Sequence, residues 1–446
     1  MSYKVASTSP QNVAVLVFPF ASHPGSVLQF VRSISAMAPD MKFTFFSLSR
    51  SNSSLFSGSG FDNIKPYNIW DDEGFGAGNP LQQIELFLDR AACTFERAIE
   101  EAEAETGHKF GCLISDAFLW FAGDIAKKMH VPWVPIWMSG QRSLLAHIET
   151  DIIREKVGAP GQEDKPLDFL PDFSDEFRAS DLPKEIVFGN LESPFARMLH
   201  KMGEKLLQAT VVTINSFETM DLKVTAELKK RFNKLLLVGP LHIAQPVVSD
   251  DDRDGCLQWL DKHKPASVAY ISFGSLGALP PIEVAALAEA LEEGGFPFLW
   301  SFRGNKEDLP QGFVDRTSSI GKIVPWVNQV QILNHSSVGV CVTHCGWNSI
   351  LESVTGGVPM IGRPDLADQK VNMRSVEVVW KICVRIEGGV FTKTGAIKAL
   401  EQALLLEQGK EMRHRVGVLK QLAQEAVGPN GLSTQDLKAL VEIIKS

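Results

Sequence analysis

The sequence predicts an α/β protein made of two domains, each with a parallel β-sheet. The chain has 446 residues, which is too long for one ordinary hydrophobic core and suits two domains of about 200 residues each. In both halves short apolar runs alternate with amphipathic helical patterns, which is typical of parallel sheets covered by helices. A polar, turn-rich stretch at 244–255 separates the halves. We therefore expect domains at 1–243 and 256–446, joined by a linker at 244–255.

In the first half, apolar and β-branched runs predict strands, and a 3.6-residue period predicts helices. A first strand at 13–19 precedes a helix at about 25–37, and a long charged helix at 87–106 leads into a buried strand at 112–114. Further strands are predicted at 42–47, 131–137, 210–215 and 235–238. The stretch 164–181, rich in Pro, Asp and Phe, predicts loops.

The second half repeats this alternation. Strands are predicted at 267–273, 296–302, 322–324 and 338–342, and helices at 282–294, after 346, and at 432–446. The second half is therefore expected to be a further α/β domain.

Composition narrows the class of protein. A hydrophobic content of 44% and a charged content of 22% are those of a soluble globular protein. The net charge of -9, with no Lys/Arg block, argues against a nucleic-acid partner. The N-terminal region shows neither a membrane span nor a signal-peptide cleavage site. Six cysteines without CxxC pairs favour reduced thiols, so we expect a cytoplasmic protein without a metal site. We also expect a monomer.

The most informative stretch is an apolar run at 338–343 that ends at His344-Cys345-Gly346-Trp347-Asn348-Ser349. A helical pattern follows directly, so this is a strand, a tight turn and a helix N-terminus. Free backbone N–H groups and the helix dipole make such a turn an anion site, to which the polar side chains add donors. Because the turn contains no Lys or Arg, a bound phosphate would be held by dipoles and hydrogen bonds.

A possible general base lies in the first half. His23 is on the loop after the first strand and Asp116 follows the strand at 112–114, so both belong to the carboxyl edge of one sheet. A His–Asp pair can deprotonate a weakly acidic hydroxyl, because the carboxylate orients the ring and stabilises the imidazolium. Spacing alone leaves open that His23 is merely an exposed loop histidine.

The segment Trp326–Gln369 resembles the donor-binding signature of plant secondary-product UDP-glycosyltransferases, which begins with Trp, contains HCGWNS and ends in Asp-Gln. The resemblance implies the GT-B fold, with two facing Rossmann-like domains. The N-terminal domain would bind the acceptor, the C-terminal domain the UDP-sugar, and the last helix would return to the first domain. The implied donor-binding residues are Met138, Ser275, Trp326, Val327, Gln329, His344, Trp347, Asn348, Ser349, Glu352, Asp368 and Gln369.

The same resemblance implies a mechanism. The surroundings FPFxSH and DAFxWF match the family's catalytic His and its partner Asp, which gives His23 and Asp116 the roles of base and orienting carboxylate. An acceptor hydroxyl would attack the anomeric carbon and displace UDP with inversion. The UDP-sugar is a co-substrate, and neither a metal nor another cofactor is expected.

Other stretches, including VFGNLESPFARMLHKMG and INSFETMD, resemble the subgroup that glycosylates the 3-hydroxyl of flavonols and anthocyanidins. The acceptor-binding residues implied by this resemblance, or placed beside the base, are Phe20, Ser22, Phe118, His147, Phe195 and Leu366. An apolar slot with aromatic walls suits a flat polyphenol.

Several residues differ from the subgroup's pattern at positions that would contact the donor sugar. Met138 replaces the usual Thr that contacts the sugar's 6-hydroxyl, and a thioether favours a methyl group instead. The run Ile361–Asp368, with Pro364-Asp365-Leu366 in place of Pro-Phe-Phe, looks more like flavonol 3-O-rhamnosyltransferases. Gln369, in contrast, is typical of glucose users. We therefore expect UDP-rhamnose ahead of UDP-glucose, with a flavonoid or anthocyanidin 3-O-glucosyltransferase as the alternative.

Two other classes fit less well. A nicotinamide-dependent oxidoreductase would need a GxGxxG turn after a first strand and an acidic ribose reader, and the chain has neither. A non-catalytic UDP-sugar or flavonoid-binding protein would keep the donor signature and lose the base. The presence of both His23 and Asp116 argues against such a protein.

Overall fold

The computed structural model describes residues 11–57, 62–70, 80–244, 252, 254–274, 279–304 and 306–446. Ser275 and most of the predicted linker therefore lie outside the described residues. The chain forms two compact units. The first unit comprises Met1–Gln162, Lys184–Gln245 and Ala426–Ser446, and the second comprises Glu163–Pro183 and Pro246–Glu425.

The described residues of the first unit form a seven-stranded parallel sheet in the order β3-β2-β1-β4-β5-β6-β7. Its strands are β1 (Asn12–Leu16), β2 (Lys42–Ser47), β3 (Ile64–Asn68), β4 (Cys112–Asp116), β5 (Trp133–Trp137), β6 (Val212–Ile214) and β7 (Leu235–Leu237). The helices between them are α1 (His23–Met37), α2 (Ser49–Leu55), α3 (Pro80–Thr106), α4 (Ala122–Met129), α5 (Gln141–Ile148), α6 (Thr150–Val157), α7 (Lys184–Val187), α8 (Pro194–Leu206), α9 (Leu222–Arg231) and α10 (Leu241–Ala244).

The described second unit has a six-stranded parallel sheet with its own helices. Its strands, in the order β10-β9-β8-β11-β12-β13, are β8 (Val268–Ser272), β9 (Phe298–Ser301), β10 (Gly321–Val324), β11 (Val338–Thr343), β12 (Met360–Gly362) and β13 (Cys383–Arg385). The helices are α11 (Cys256–Leu260), α12 (Pro281–Gly294), α13 (Phe313–Arg316), α14 (Gln329–Leu333), α15 (Trp347–Gly356), α16 (Gln369–Arg374), α17 (Lys393–Leu404) and α18 (Glu407–Val427). The last helix, α19 (Leu432–Lys445), belongs to the first unit.

Alternation along the strands builds the core of the first unit. Val13, Val15 and Val17 lie two residues apart, so they share one face of the sheet and pack in one buried cluster. Helix α19 supplies Leu437, Leu440, Val441 and Ile444 to that cluster, at the i, i+3, i+4 and i+7 positions of a helical stripe. The backbone N–H of Leu237 donates to Asp436 (2.8 Å), and Gln11 donates to the carbonyl of Ile444 (2.8 Å).

In the second unit the core lies between the sheet and the helices α12 and α17, and includes Ile271, Leu287, Trp300, Val342 and Leu400. The central strands β8 and β11 are parallel neighbours, so their carboxyl ends and the turns that follow lie side by side. This edge carries the predicted donor turn.

The prediction of two α/β domains with parallel sheets is confirmed. Three strands were not predicted, because β3 contains Pro66 and β12 and β13 have only three residues each, which leaves little alternation. Several helices, including α8, α17 and α18, were not predicted either. Helix α1 begins at His23, two residues before the predicted start. Residues 163–183 cluster with the second unit, although the sequence analysis assigns them to the first domain. None of the described helices has the length and apolarity to cross a membrane.

Candidate active site

The structure brings His23 and Asp116 together. Asp116 is the last residue of β4, which pairs with β1, and His23 opens α1, which follows β1. Ala21, with a left-handed φ of 55°, turns the chain between strand and helix. Nδ1 of His23 lies 2.6 Å from Oδ2 of Asp116.

Burial and hydrogen bonds hold this pair in place. The Asp116 side chain is 1% exposed and that of His23 18%, and the other Asp116 oxygen accepts from the Phe118 N–H at 3.0 Å. A buried carboxylate needs such partners. As an acceptor it draws the imidazole proton to Nδ1, which puts the lone pair on Nε2. The pair thus has the geometry of a general base with an orienting carboxylate.

Aromatic rings surround the base. The ring centroid of His23 lies 5.2 Å from that of Phe18 and 4.8 Å from that of Phe118. Phe118 in turn lies 6.0 Å from Trp137, and Trp137 lies 5.3 Å from His147. These rings form one continuous apolar wall beside a proton acceptor, which is the chemistry that a flat phenolic acceptor needs.

His147 is the polar member of this wall. Burial lowers its pKa to about 4, so the imidazole is neutral at physiological pH. Its Nδ1 is buried and has no hydrogen-bond partner within the described chain. A neutral ring nitrogen in that state can hydrogen-bond a hydroxyl group.

Other predicted residues of the first unit lie less centrally. Phe20 packs on Phe18 with ring centroids 5.1 Å apart, and Ser22 is exposed at the N-cap of α1. Phe195 is partly buried in the first turn of α8. Met138 is partly buried against the core of this unit, so it has packing partners of its own.

Sequence reasoning missed two rings of this site, Phe18 and Phe87, whose centroids lie 5.8 Å apart. The sequence analysis places Phe18 inside a strand that ends at residue 19, and Phe87 on a helix face. Because β1 ends at Leu16, Phe18 instead belongs to the turn that carries the site. The FPF run before His23 was the available signal.

In the second unit the predicted anion turn has the expected form. Gly346 is the N-cap of α15, and Cys345 has a left-handed φ of 61°. The His344 ring packs on two glycines: a Cβ on Gly274 would lie 2.7 Å from its Cε1, and one on Gly346 would lie 2.4 Å from its Nε2. Only glycine allows this approach.

Burial lowers the pKa of His344 to about 4, and the nearby Asp365 carboxylate opposes that shift. The ring is therefore neutral at physiological pH. Its Nδ1 is buried without a hydrogen-bond partner among the described residues. With Asn348 and Ser349 at the start of α15, His344 provides an uncharged donor set of the kind that binds an anion at a helix N-terminus.

A second cluster joins α14 to α15. Nε2 of Gln329 donates to Oγ of Ser349 (3.1 Å) and to Oε2 of Glu352 (2.6 Å). Burial raises the pKa of Glu352 to about 7, and the hydrogen bond from Gln329 opposes that shift. Tyr270 donates to the Gln329 carbonyl (3.0 Å). Sequence analysis singled out the Gln, Ser and Glu but not Tyr270, which looks like an ordinary core residue of β8.

The loop before α16 carries Asp368 and Gln369. Oε1 of Gln369 accepts from the backbone N–H groups of Asp365 (2.9 Å) and Leu366 (3.0 Å). These two bonds fix the orientation of the amide and leave its Nε2 as a donor for a ligand. Asp368 accepts from Asn372 (2.8 Å). The two side chains therefore present a donor and an acceptor next to each other.

Two tryptophans of the signature differ in exposure. Trp326 is 60% exposed, which suits a stacking plane, and Val327 beside it is buried. Trp347 is 4% exposed, with its ring 6.3 Å from that of Trp380. Trp347 therefore has a packing role, and its donor-binding role stays a prediction. Leu366, predicted to contact the acceptor, is exposed on the loop before α16.

Two α/β units with parallel sheets, one with the predicted anion turn at the carboxyl edge of its sheet, fit the class of GT-B glycosyltransferases. A family model, "UDP-glucoronosyl and UDP-glucosyl transferase", matches residues 82–421. The chain belongs to this family and is a UDP-dependent glycosyltransferase.

Curated relatives cover nearly the whole chain. An anthocyanidin 3-O-galactosyltransferase of Actinidia chinensis var. chinensis is 50% identical over 447 residues, 98% of each chain. An anthocyanidin 3-O-glucosyltransferase of Vitis vinifera is 47% identical over 448 residues, again 98% of each. A solved structure, a UDP-glucose:anthocyanidin 3-O-glucosyltransferase in complex with UDP, matches with a TM-score of 0.92 at 40% identity, covering 98% of this chain and 99% of that one. These relatives do not support the expected preference for UDP-rhamnose.

Proposed function

We propose that this enzyme transfers a hexose from UDP-galactose or UDP-glucose to the 3-hydroxyl of an anthocyanidin or flavonol, with inversion at the anomeric carbon. The observation that carries the proposal is the His23–Asp116 pair, with 2.6 Å between Nδ1 and Oδ2, set against aromatic rings. The names of the whole-length relatives support the acceptor class and the hexose donors.

The base step follows from the protonation of the pair. Nε2 of His23 takes the proton of the acceptor hydroxyl while its oxygen attacks the anomeric carbon. The new C–O bond forms as the bond from the anomeric carbon to the β-phosphate oxygen breaks, and UDP leaves with that electron pair. Asp116 stabilises the imidazolium; such a pair contributes roughly 10²–10⁴-fold in rate.

On the donor side, the N-terminus of α15 would receive the diphosphate. His344, Asn348 and Ser349, with Ser275 by resemblance, would stabilise the charge that grows on UDP as it leaves. Trp326 would stack on uracil, and Gln329 and Glu352 would hold the ribose. Because the diphosphate would be held by neutral donors and a helix terminus, we expect transfer to need no divalent metal.

The sugar is the part of the proposal that departs from our expectation of rhamnose. That expectation depended on the run Ile361–Asp368 and mainly on Met138, whose thioether would accept a methyl group. Met138, however, packs against the core of the first unit. Gln369 offers a donor and Asp368 an acceptor, which suits the hydroxyls of a hexose. Because rhamnose also carries hydroxyl groups, the deciding support comes from the relatives, which are galactosyl- and glucosyltransferases. We therefore set UDP-galactose or UDP-glucose ahead of UDP-rhamnose.

A donor competition assay tests the proposal. Quercetin and cyanidin are each given UDP-galactose, UDP-glucose and UDP-rhamnose, with and without a chelator, and the products are identified by mass and regiochemistry. We expect a 3-O-hexoside, formed equally with the chelator. A rhamnoside as the main product would restore the Met138 argument and overturn the hexose donor. No product and no UDP release would point to the non-catalytic binding protein.

A further inference from the structure

Tyr270 is a buried polar residue that the mechanism above does not use. It is the third residue of β8 and is 1% exposed, and its hydroxyl lies 3.0 Å from Oε1 of Gln329. Ser272 stands two residues further on the same face of the strand, and its hydroxyl hydrogen-bonds the same phenol. A buried phenol needs such partners, but two partners also give this hydroxyl a defined direction.

The direction of the Tyr270 hydroxyl matters because the side-chain amide of Gln329 can adopt two orientations, which exchange Oε1 and Nε2. In the structure its Nε2 donates to Ser349 and Glu352, and its Oε1 accepts from Tyr270. Rotating the amide by half a turn would place Oε1 at 2.6 Å from the carboxylate of Glu352, where two acceptors repel each other. In the observed orientation the Tyr270 hydroxyl adds a second contact, its donation to Oε1. Tyr270 therefore stabilises the orientation in which Gln329 holds Glu352.

We propose that Tyr270 is a positioning residue for the nucleotide, acting through Gln329 to hold the Glu352 carboxylate where the ribose hydroxyls can donate to it. The inference rests on the proposed donor role of Gln329 and Glu352. Burial raises the pKa of the Tyr270 phenol, which keeps its proton available to Gln329 throughout the working pH range.

The first variant is Tyr270→Phe, which removes one oxygen and keeps the ring. A neutral hydrogen bond contributes about 1 kcal/mol, and about 1.4 kcal/mol is tenfold in affinity. We expect the Kd for UDP and the KM for the UDP-sugar to rise about fivefold, with kcat changed by less than about twofold. Calorimetry with UDP and steady-state kinetics measure the two effects. Tyr67→Phe is the matched control, because it removes the hydroxyl that bonds Glu105 (3.3 Å) in the first unit.

A double-mutant cycle distinguishes positioning from general loosening of β8. If Tyr270 acts through Gln329, Tyr270→Phe weakens UDP binding in the wild-type background and has no further effect in Gln329→Ala. A loss of the same size in both backgrounds would overturn the positioning role, even if Tyr270→Phe also lowers the melting temperature.

The same set of variants separates this inference from the proposed function. If Gln329→Ala weakens UDP binding but Tyr270→Phe binds UDP as the wild type does, only the positioning role is overturned. If both Gln329→Ala and Glu352→Gln bind UDP like the wild type, the donor role of the cluster is wrong and the positioning role falls with it.

Discussion

At the scale of single residues, the site holds a few buried polar groups by one or two hydrogen-bond partners each. Asp116 is held by His23 and by one backbone N–H, and Glu352 by Gln329. Sequence patterns find such residues when a motif surrounds them, as with HCGWNS. They do not reveal partners such as Tyr270 or Phe18, because contact across strands depends on where each strand ends.

Replacing Asp116 by Asn tests the base. The amide cannot stabilise the imidazolium and favours the wrong tautomer of His23, so kcat should fall about 10²–10⁴-fold. The Kd for UDP should stay within about twofold of the wild type. Asp124→Asn is the control, because it removes the carboxylate of a half-buried ion pair with Lys205. A variant with wild-type kcat would contradict the role of Asp116.

The raised pKa of Glu352 leads us to expect that donor binding depends on pH. Its pKa is raised to about 7, and only the carboxylate can accept from both ribose hydroxyls. UDP affinity should therefore rise as the pH increases through about 7, and Glu352→Gln should bind UDP more weakly and lose the part of the profile centred near pH 7, keeping only that of the UDP phosphate itself, whose pKa is about 6. Calorimetry between pH 5.5 and 8.5 measures both, with buffers of matched ionic strength. An unchanged pH profile in Glu352→Gln would assign the titration to another group.

The raised pKa of Glu352 also affects stability, but in the opposite direction: the free energy of unfolding falls as the pH rises. A carboxyl group whose pKa is raised from 4.5 to about 7 on folding binds more protons in the folded state, so its contribution to stability is lost as the pH rises through that window. Glu352→Gln without ligand should therefore melt higher than the wild type at pH 8 and close to it at pH 4.5. Scanning calorimetry tests this, and a lower melting temperature at pH 8 would contradict it.

At the scale of elements, strands with a clear apolar run could be predicted, even the short β6 and β7, whereas β3, β12, β13 and several helices, including α8, α17 and α18, were not. Lys42–Ser47 and the end of α3 at Thr106 match the predicted bounds, because their patterns extend over several turns or alternations. The three-residue strands β12 and β13 depend on pairing with neighbours, which no local pattern records. The turn at His344–Gly346 was predictable because a buried strand, a glycine and a helix start follow one another directly.

The turn before α15 requires glycine at position 346, which a substitution can test. Alanine fits its backbone angles (φ −66°, ψ 145°), but its Cβ would lie 2.4 Å from Nε2 of His344 and displace that ring. Gly346→Ala should weaken UDP binding about tenfold or more with a folded protein by circular dichroism. Gly417→Ala, inside α18 with no atom within 4 Å of the added Cβ, is the control and should bind UDP normally. Wild-type affinity in Gly346→Ala would contradict the role of the turn.

At the scale of the whole molecule, the chain folds as two α/β units, each with its own sheet and core. Leu440 of α19 is fully buried in the core of the first unit, although it lies near the end of the chain. Leu440→Ala should lower the free energy of unfolding by about 2–5 kcal/mol. Denaturant melts measure this, with Leu405→Ala, 65% exposed, as the control. Equal losses in the two variants would contradict the packing of α19.

The central claim is inverting hexosyl transfer with His23 as base, and one measurement tests it most directly. Wild type and His23→Ala are incubated with a flavonol and UDP-galactose or UDP-glucose, and the product's linkage and anomeric configuration are determined by NMR. We expect the wild type to form a β-linked 3-O-hexoside, and the variant to form almost none while binding UDP normally. An α-linked product, or full turnover by His23→Ala, would contradict the account.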